Sequence, residues 1–137
     1  MIAAVHVAVG VILGAEVSAG ERQILLTRRA ATAHQGGLWE FPGGKVEVGE
    51  TVQQALVREL REELAIEVGQ SEPLLVIHHD YGDKFVKLDV HLVHYFEGGI
   101  QPQEGQPMAW VPMTELAGYA LPAANRAIVK ALERYFS

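Results

Sequence analysis

Glu59, Glu62 and Glu63 stand at i, i+3 and i+4 in the run Arg58-Glu59-Leu60-Arg61-Glu62-Glu63. On a helix, at ~100° per residue, the three carboxylates share one side. Like charges at this spacing repel by roughly 0.2–0.5 kcal/mol a pair, and partial burial raises the cost. A divalent cation would turn that repulsion into attraction. Carboxylate oxygens are hard ligands suited to Mg²⁺ or Mn²⁺, ions that keep several waters and bind substrate phosphates at the same time. Upstream, Gly44-Lys45-Val46-Glu47-Val48-Gly49-Glu50 supplies a glycine turn where backbone can approach a ligand closely. The chemistry indicated is metal-assisted reaction at a phosphate. Taken alone, the three acids read more readily as a solvated helix face. The glycine turn at a fixed distance changes that reading.

The elements that must position these groups follow from periodicity and turn residues. Thr51 predicts an N-cap for a helix reaching about Leu64. Leu56, Leu60 and Leu64 occupy the arc next to the acids, so the carboxylates flank the buried seam. Arg58 sits beside Glu62 and can steady it at i+4, whereas Arg61 points further away. Val5 to Leu13 reads as a buried strand, Ala19-Gly20-Glu21 as a turn, and Gln23 to Thr27 as the returning strand. Ala30 to Gly37 is a small-residue loop. Leu38 to Phe41 is a short strand stopped by Pro42-Gly43-Gly44. Leu74 to His79 and Phe85 to Phe96 read as strands joined by a turn at Asp80-Tyr81-Gly82-Asp83. Gly98 to Pro107 is a loop, Met108 to Val111 a last strand, and Ala123 to Tyr135 a closing helix after Pro122. Long runs of strands with two inserted helices give a mixed α+β or α/β class without regular βαβ alternation.

The bulk numbers narrow the function classes. A chain of 137 residues, 49% apolar and 20% charged, suits one soluble globular domain spanning residues 1–137. No cysteine is present, which excludes disulfides, thiolate zinc sites and a cysteine nucleophile, and fits a cytoplasmic location. The start, Met1-Ile2-Ala3-Ala4-Val5-His6, lacks a basic region and the ~18 unbroken apolar residues of a membrane span. A net charge of −6 argues against broad binding to duplex nucleic acid, though an anionic substrate remains compatible if metal ions neutralise the contact. Gly44-Lys45 is not a Walker A loop, because Trp39 and Val46 occupy its required glycine and Ser/Thr positions. His78-His79 lacks helical zinc spacing, and His91 and His94 fall on opposite faces of a strand. The sequence does not specify an oligomeric state.

The segment Gly44 to Ile66 resembles the Nudix box, G-x5-E-x7-R-E-U-x-E-E-x-G-U. Gly44, Glu50, Arg58, Glu59, Leu60, Glu62, Glu63 and Ile66 match, and Ala65 stands where the family usually has glycine. Similarity to the MutT type extends further, through Arg28 to His34, Glu40 to Lys45, Glu104-Gly105-Gln106-Pro107 with Trp110, and Leu121 to Asn125. The resemblance implies a mixed sheet between helices, an α/β/α sandwich with the box helix on one face. It also implies Mg²⁺-dependent hydrolysis of a nucleoside triphosphate such as 8-oxo-dGTP to monophosphate and pyrophosphate. CTP or methylated pyrimidine triphosphates and ADP-ribose-type diphosphates are the alternative substrates, and a non-catalytic nucleotide-binding module is a third reading. By the same resemblance the Gly43 carbonyl, Glu59, Glu63 and Glu104 match metal-binding positions, with Glu62 as ligand or support. Glu59 is expected to orient or deprotonate the water, with Glu104 the next choice, and Arg58 belongs to the catalytic set. Arg29 and Lys45 match substrate contacts, Arg29 at the phosphates. His34 and Phe41 match the nucleoside site, and Asn125 the residue that reads the oxidised purine. Asp83 aligns near the base pocket, but Lys84 stands where MutT has arginine, and lysine does not reproduce a planar stacking guanidinium. Plainer alternatives stand beside several of these: a solvated loop acid for Glu104, core packing for Phe41, a helix N-cap or turn residue for Asn125.

Overall fold

The computed structural model describes residues 4–18, 21–30 and 36–136. Among them seven strands make one mixed sheet: β1 (Ala4–Ser18), β2 (Glu21–Arg28), β3 (Trp39–Glu40), β4 (Gly43–Lys45), β5 (Glu67–Asp80), β6 (Phe85–Glu97) and β7 (Met108–Pro112). The main path runs β3-β2-β1-β6-β5, with β4 added to β1 and β7 to β2. The β1–β6 pair is parallel, in unbroken register from Ala4↔Phe85 to Ile12↔Val93, and the other pairings are antiparallel.

Side chains alternate across a strand, so β1 feeds two cores. Val9, Val11 and Leu13 face a cluster with Leu88, Val90 and Leu92 of β6 and with Ile128, Val129 and Leu132 of helix α2 (Arg126–Tyr135). Ala8 and Ile12 face the opposite way, onto Leu56, Leu60 and Leu64 of helix α1 (Val52–Leu64). Each of those leucines is 0% exposed, and burying one is worth about 1.5–3 kcal/mol. The architecture is therefore a mixed sheet covered on both faces, in agreement with the expected class.

Helix α1 begins where its sequence says it should. The Thr51 side chain accepts from the Gln54 N–H at 3.1 Å, and the Gln54 side chain accepts from the Thr51 N–H at 2.9 Å, a complete capping box. Its C-cap is Ala65 at φ 60° and ψ 31°, the only non-glycine residue with positive φ among the described residues. The geometry that glycine normally supplies is thus adopted by an alanine, at a conformational cost.

Three expectations are corrected. Gly43 and Gly44 do not merely stop a strand; they form β4 with Lys45, paired to Val9, Ala8 and Val7. Strand β5 starts at Glu67 rather than Leu74. Its first half is polar and contains Gly69 and Pro73, and it pairs with β6 through register shifts on either side of Gln70 and after Pro73. β5 ends the main strand path, where proline and irregularities are tolerated. The closing helix starts at Arg126, preceded by a 3₁₀ turn at Ala123–Asn125, and a second 3₁₀ segment spans Met113–Gly118. Ala19, Gly20 and the loop segment 31–35 lie outside the described residues.

Candidate active site

Arg58 organises the acidic side of α1. Its Nε donates to Glu50 Oε2 at 2.7 Å and its Nη2 to Glu50 Oε1 at 2.9 Å, a bidentate pair. Nη2 also donates to the Lys45 carbonyl at 2.9 Å, and Nη1 to Glu59 Oε1 at 2.8 Å and Glu62 Oε2 at 3.3 Å. All five N–H groups of the fork therefore have acceptors. The guanidinium, helped by the Glu47 N–H, holds the Glu50 carboxyl down at about 2. These bonds clamp the turn between β4 and α1 against the helix. Gly44 completes the arrangement: a Cβ there would lie 2.2 Å from the Glu59 carboxyl carbon.

Glu63 is the electrostatic centre. Burial first, then the charges of Glu40, Glu59 and Glu104, together raise its carboxyl to about 8 against the opposing pull of a bond from the Gly43 N–H at 3.2 Å. Glu104 arrives there on a loop that docks on the end of α1. The Gln101 N–H donates to the Leu64 carbonyl and the Gln103 N–H to the Glu63 carbonyl, each at 2.9 Å, satisfying acceptors that a helix terminus leaves unpaired. Glu62 stands apart, its side chain 62% exposed and steadied by Arg58 at 3.3 Å.

Among the described residues, no three acid or histidine side chains converge as closely as ligands of one ion do. Arg58 restrains Glu59, and the acids repel one another. The donor set nevertheless fits a hard divalent cation. The half-buried Glu63 carboxyl feels the charges of Glu59 and Glu104, a like-charge set of hard oxygen donors that a cation would neutralise.

Two hollows meet at Arg29 and Glu40, which line both. One is the acidic hollow, with Glu63, Glu104 and Gln106 on its walls. The other, about 240 Å³, is lined by the apolar Val7, Val9 and Leu88, by Phe41, and by Lys45, Tyr81, Lys84 and Asn125. Arg29 Nη1 donates to Glu40 Oε1 at 2.6 Å on the shared wall. Phe41 is 3% exposed and belongs to the core while also lining the second hollow, so the two alternatives for it coexist. Asn125 ends the 3₁₀ turn and holds the N-cap position of α2, as the plainer alternative has it, but its side chain makes no capping hydrogen bond.

Asp83 belongs to the turn that borders the apolar hollow. It is exposed at the tip of the β5–β6 turn, and its neighbours Tyr81 and Lys84 line the hollow. His34 lies outside the described residues. Three contributors were missed in the sequence. Glu40, raised by burial against the opposing pull of Arg29, looks like any strand acid until β2 and β3 pair Thr27 with it. The role of Glu50 as the main partner of Arg58 depends on the turn folding back over eight residues. Tyr81 is brought into play by a tertiary contact with Ala124, 43 residues further along the chain.

The profile of the NUDIX domain matches residues 14–131 of this sequence. The chain belongs to the Nudix family. The 8-oxo-dGTP diphosphatase of Escherichia coli K12 is 39% identical over 112 residues, covering 82% of this chain and 87% of that protein. The CTP pyrophosphohydrolase of the same organism is 40% identical over 109 residues, covering 80% and 81%. Among solved structures, a MutT structure described for Aliivibrio salmonicida and Vibrio cholerae superposes with TM-score 0.79 at 38% identity, over 96% of this chain and 99% of that one. The solution structure of Escherichia coli ORF135 gives TM-score 0.82 at 34% identity, over 97% and 91%. This Nudix protein is thus a MutT-type pyrophosphohydrolase acting on a nucleotide, and enzymes of the family generally need a divalent metal. Among its described residues no helix is long and apolar enough to cross a membrane.

Proposed function

We propose that this Nudix enzyme, acting as a single domain over residues 1–137, hydrolyses an oxidised purine nucleoside triphosphate such as 8-oxo-dGTP. The products are the nucleoside monophosphate and pyrophosphate, with Mg²⁺ as the working ion. The observation that carries the reading is the meeting, at Arg29 and Glu40, of an acidic hollow with an apolar one lined by Asn125. A triphosphate needs the first and a base needs the second.

When bound, Mg²⁺ supplies charge neutralisation at the phosphates, held by Glu59, Glu63, Glu104 and the Gly43 carbonyl with Glu62 in support. Arg29 clamps the phosphate chain from the shared wall. Glu59 accepts the proton of the attacking water, and Arg58 keeps its carboxylate oriented through the 2.8 Å bond to Oε1. The new bond forms between water oxygen and the β-phosphorus. The bond from that phosphorus to the α–β bridging oxygen breaks, and the monophosphate leaves. Phe41 gives the base an apolar wall, Lys45 adds positive charge, and the Asn125 amide offers a donor and an acceptor to the base edge.

Hydrolysis of 8-oxo-dGTP, dGTP and CTP at fixed Mg²⁺, with product identification, tests the reading. Preference for 8-oxo-dGTP with release of pyrophosphate is expected. A strong preference for CTP replaces the purine by a pyrimidine and keeps the reaction. That second reading has specific support: the CTP pyrophosphohydrolase relative is as similar as the 8-oxo-dGTP diphosphatase one, and Lys84 occupies the base hollow.

A further inference from the structure

The 3₁₀ turn Ala123–Asn125 is short, and two bonds close it locally. The Asn125 N–H donates to the Pro122 carbonyl at 2.9 Å, and the Arg126 N–H to the Ala123 carbonyl. The Ala124 N–H is different. Ala124 is 2% exposed, and its N–H donates to the hydroxyl oxygen of Tyr81, 3.1 Å away and 43 residues earlier in the chain. Tyr81 sits in the turn between β5 and β6, where its own N–H donates to the Lys84 carbonyl at 2.9 Å. Its ring packs edge-on against His79, with centroids 4.4 Å apart. One hydroxyl therefore joins the hairpin turn that carries Lys84 to the turn that carries Asn125, and all of these residues except His79 line the same hollow or flank it.

We propose that Tyr81 is a specificity-determining positioning residue: its hydroxyl fixes the turn bearing Asn125, so that the asparagine amide meets the base at one angle. This deepens the proposed function and rests on Asn125 facing the base. The physical basis is the buried donor. A buried N–H with no acceptor is strongly disfavoured, so removal of the hydroxyl forces the Ala124 turn to shift toward water or another acceptor. Asn125 is the next residue and moves with it. The phosphate-facing groups are held by other bonds, through Arg58 and the docking of residues 101 and 103, and stay in place. Discrimination between bases is lost while the chemical step survives.

Tyr81→Phe is the informative variant, because it keeps the ring against His79 and removes one oxygen. The expected result is a fall of about tenfold in the ratio of kcat/KM for 8-oxo-dGTP over dGTP, seen in KM, with kcat within about twofold. Asn125→Ala should lower the same ratio, and the double variant should add little to either single change. Amide hydrogen exchange, read by NMR on the full chain, should quicken at Ala124 in Tyr81→Phe. An unchanged ratio in Tyr81→Phe overturns the inference, as does a loss confined to kcat. A wild-type enzyme that prefers CTP overturns the purine reading alone. The Tyr81 inference is then decided by the ratio for CTP over dGTP in the same variants.

Discussion

The acidic side of the site and the apolar hollow beside it are built on different plans. The first comes mainly from one continuous segment, Gly43 to Glu63, in which Arg58 makes five hydrogen bonds and Gly44 leaves room for one carboxylate. The second is assembled from β1, β3, β4, β6, the β5–β6 turn and the 3₁₀ turn before α2, segments spread over most of the chain. Chemistry that demands fixed charges is held by redundant bonds. The proposed base site rests instead on residues brought together from distant segments, and two relatives of near-equal identity carry names for different substrates.

That contrast can be broken most forcefully at its rigid end. Glu59→Gln should fold with an unchanged Tm and lose about 10²–10⁴-fold in kcat. Turnover close to wild type would pass the role of base to Glu104. Gly44→Ala places a methyl group 2.2 Å from the Glu59 carboxyl carbon. A loss of about a hundredfold in kcat is expected from that displacement, and steady-state kinetics beside a thermal melt would separate it from unfolding. On the base side, Lys84→Arg should sharpen preference for 8-oxo-dGTP over CTP by about two- to fivefold, through a planar cation against the base. A fall in that preference would mean that Lys84 itself reads the base. The smallest effect belongs to the hinge between helix and sheet. Ala65→Gly should raise stability by about 0.5–1 kcal/mol in urea titration, with kcat unaltered, since glycine adopts the left-handed cap without steric cost.

The same contrast governs what could be read from residue order. The box helix, its Thr51 cap and the shared side of its acids are local properties, and local periodicity expresses them. The first half of β5 was invisible because Gly69, Gln70, Ser71 and Pro73 carry no strand signal; the register with β6 makes it a strand. The β4 pairing was hidden for a related reason. Two glycines after a proline read as a stop, yet a Cβ on Gly43 would lie 2.0 Å from the Ala8 carbonyl oxygen, so only glycine lets that backbone close on β1. Glu40 and Tyr81 have no local signature at all. Their significance comes from partners on elements distant in sequence, Glu63 for the one and Ala124 for the other.

The latch between residues 101 and 103 and the last carbonyls of α1 has a geometric consequence. Glu104 follows the latch directly, so its reach is measured out by peptide units counted from a rigid rod, not by the reach of a swinging arm. Extra residues inserted at Gly98-Gly99 would bulge outward and leave that measure intact. A single residue inserted between Gln103 and Glu104 would shift the acid by one peptide spacing. The tolerance of this loop to length change should therefore switch abruptly within a few positions.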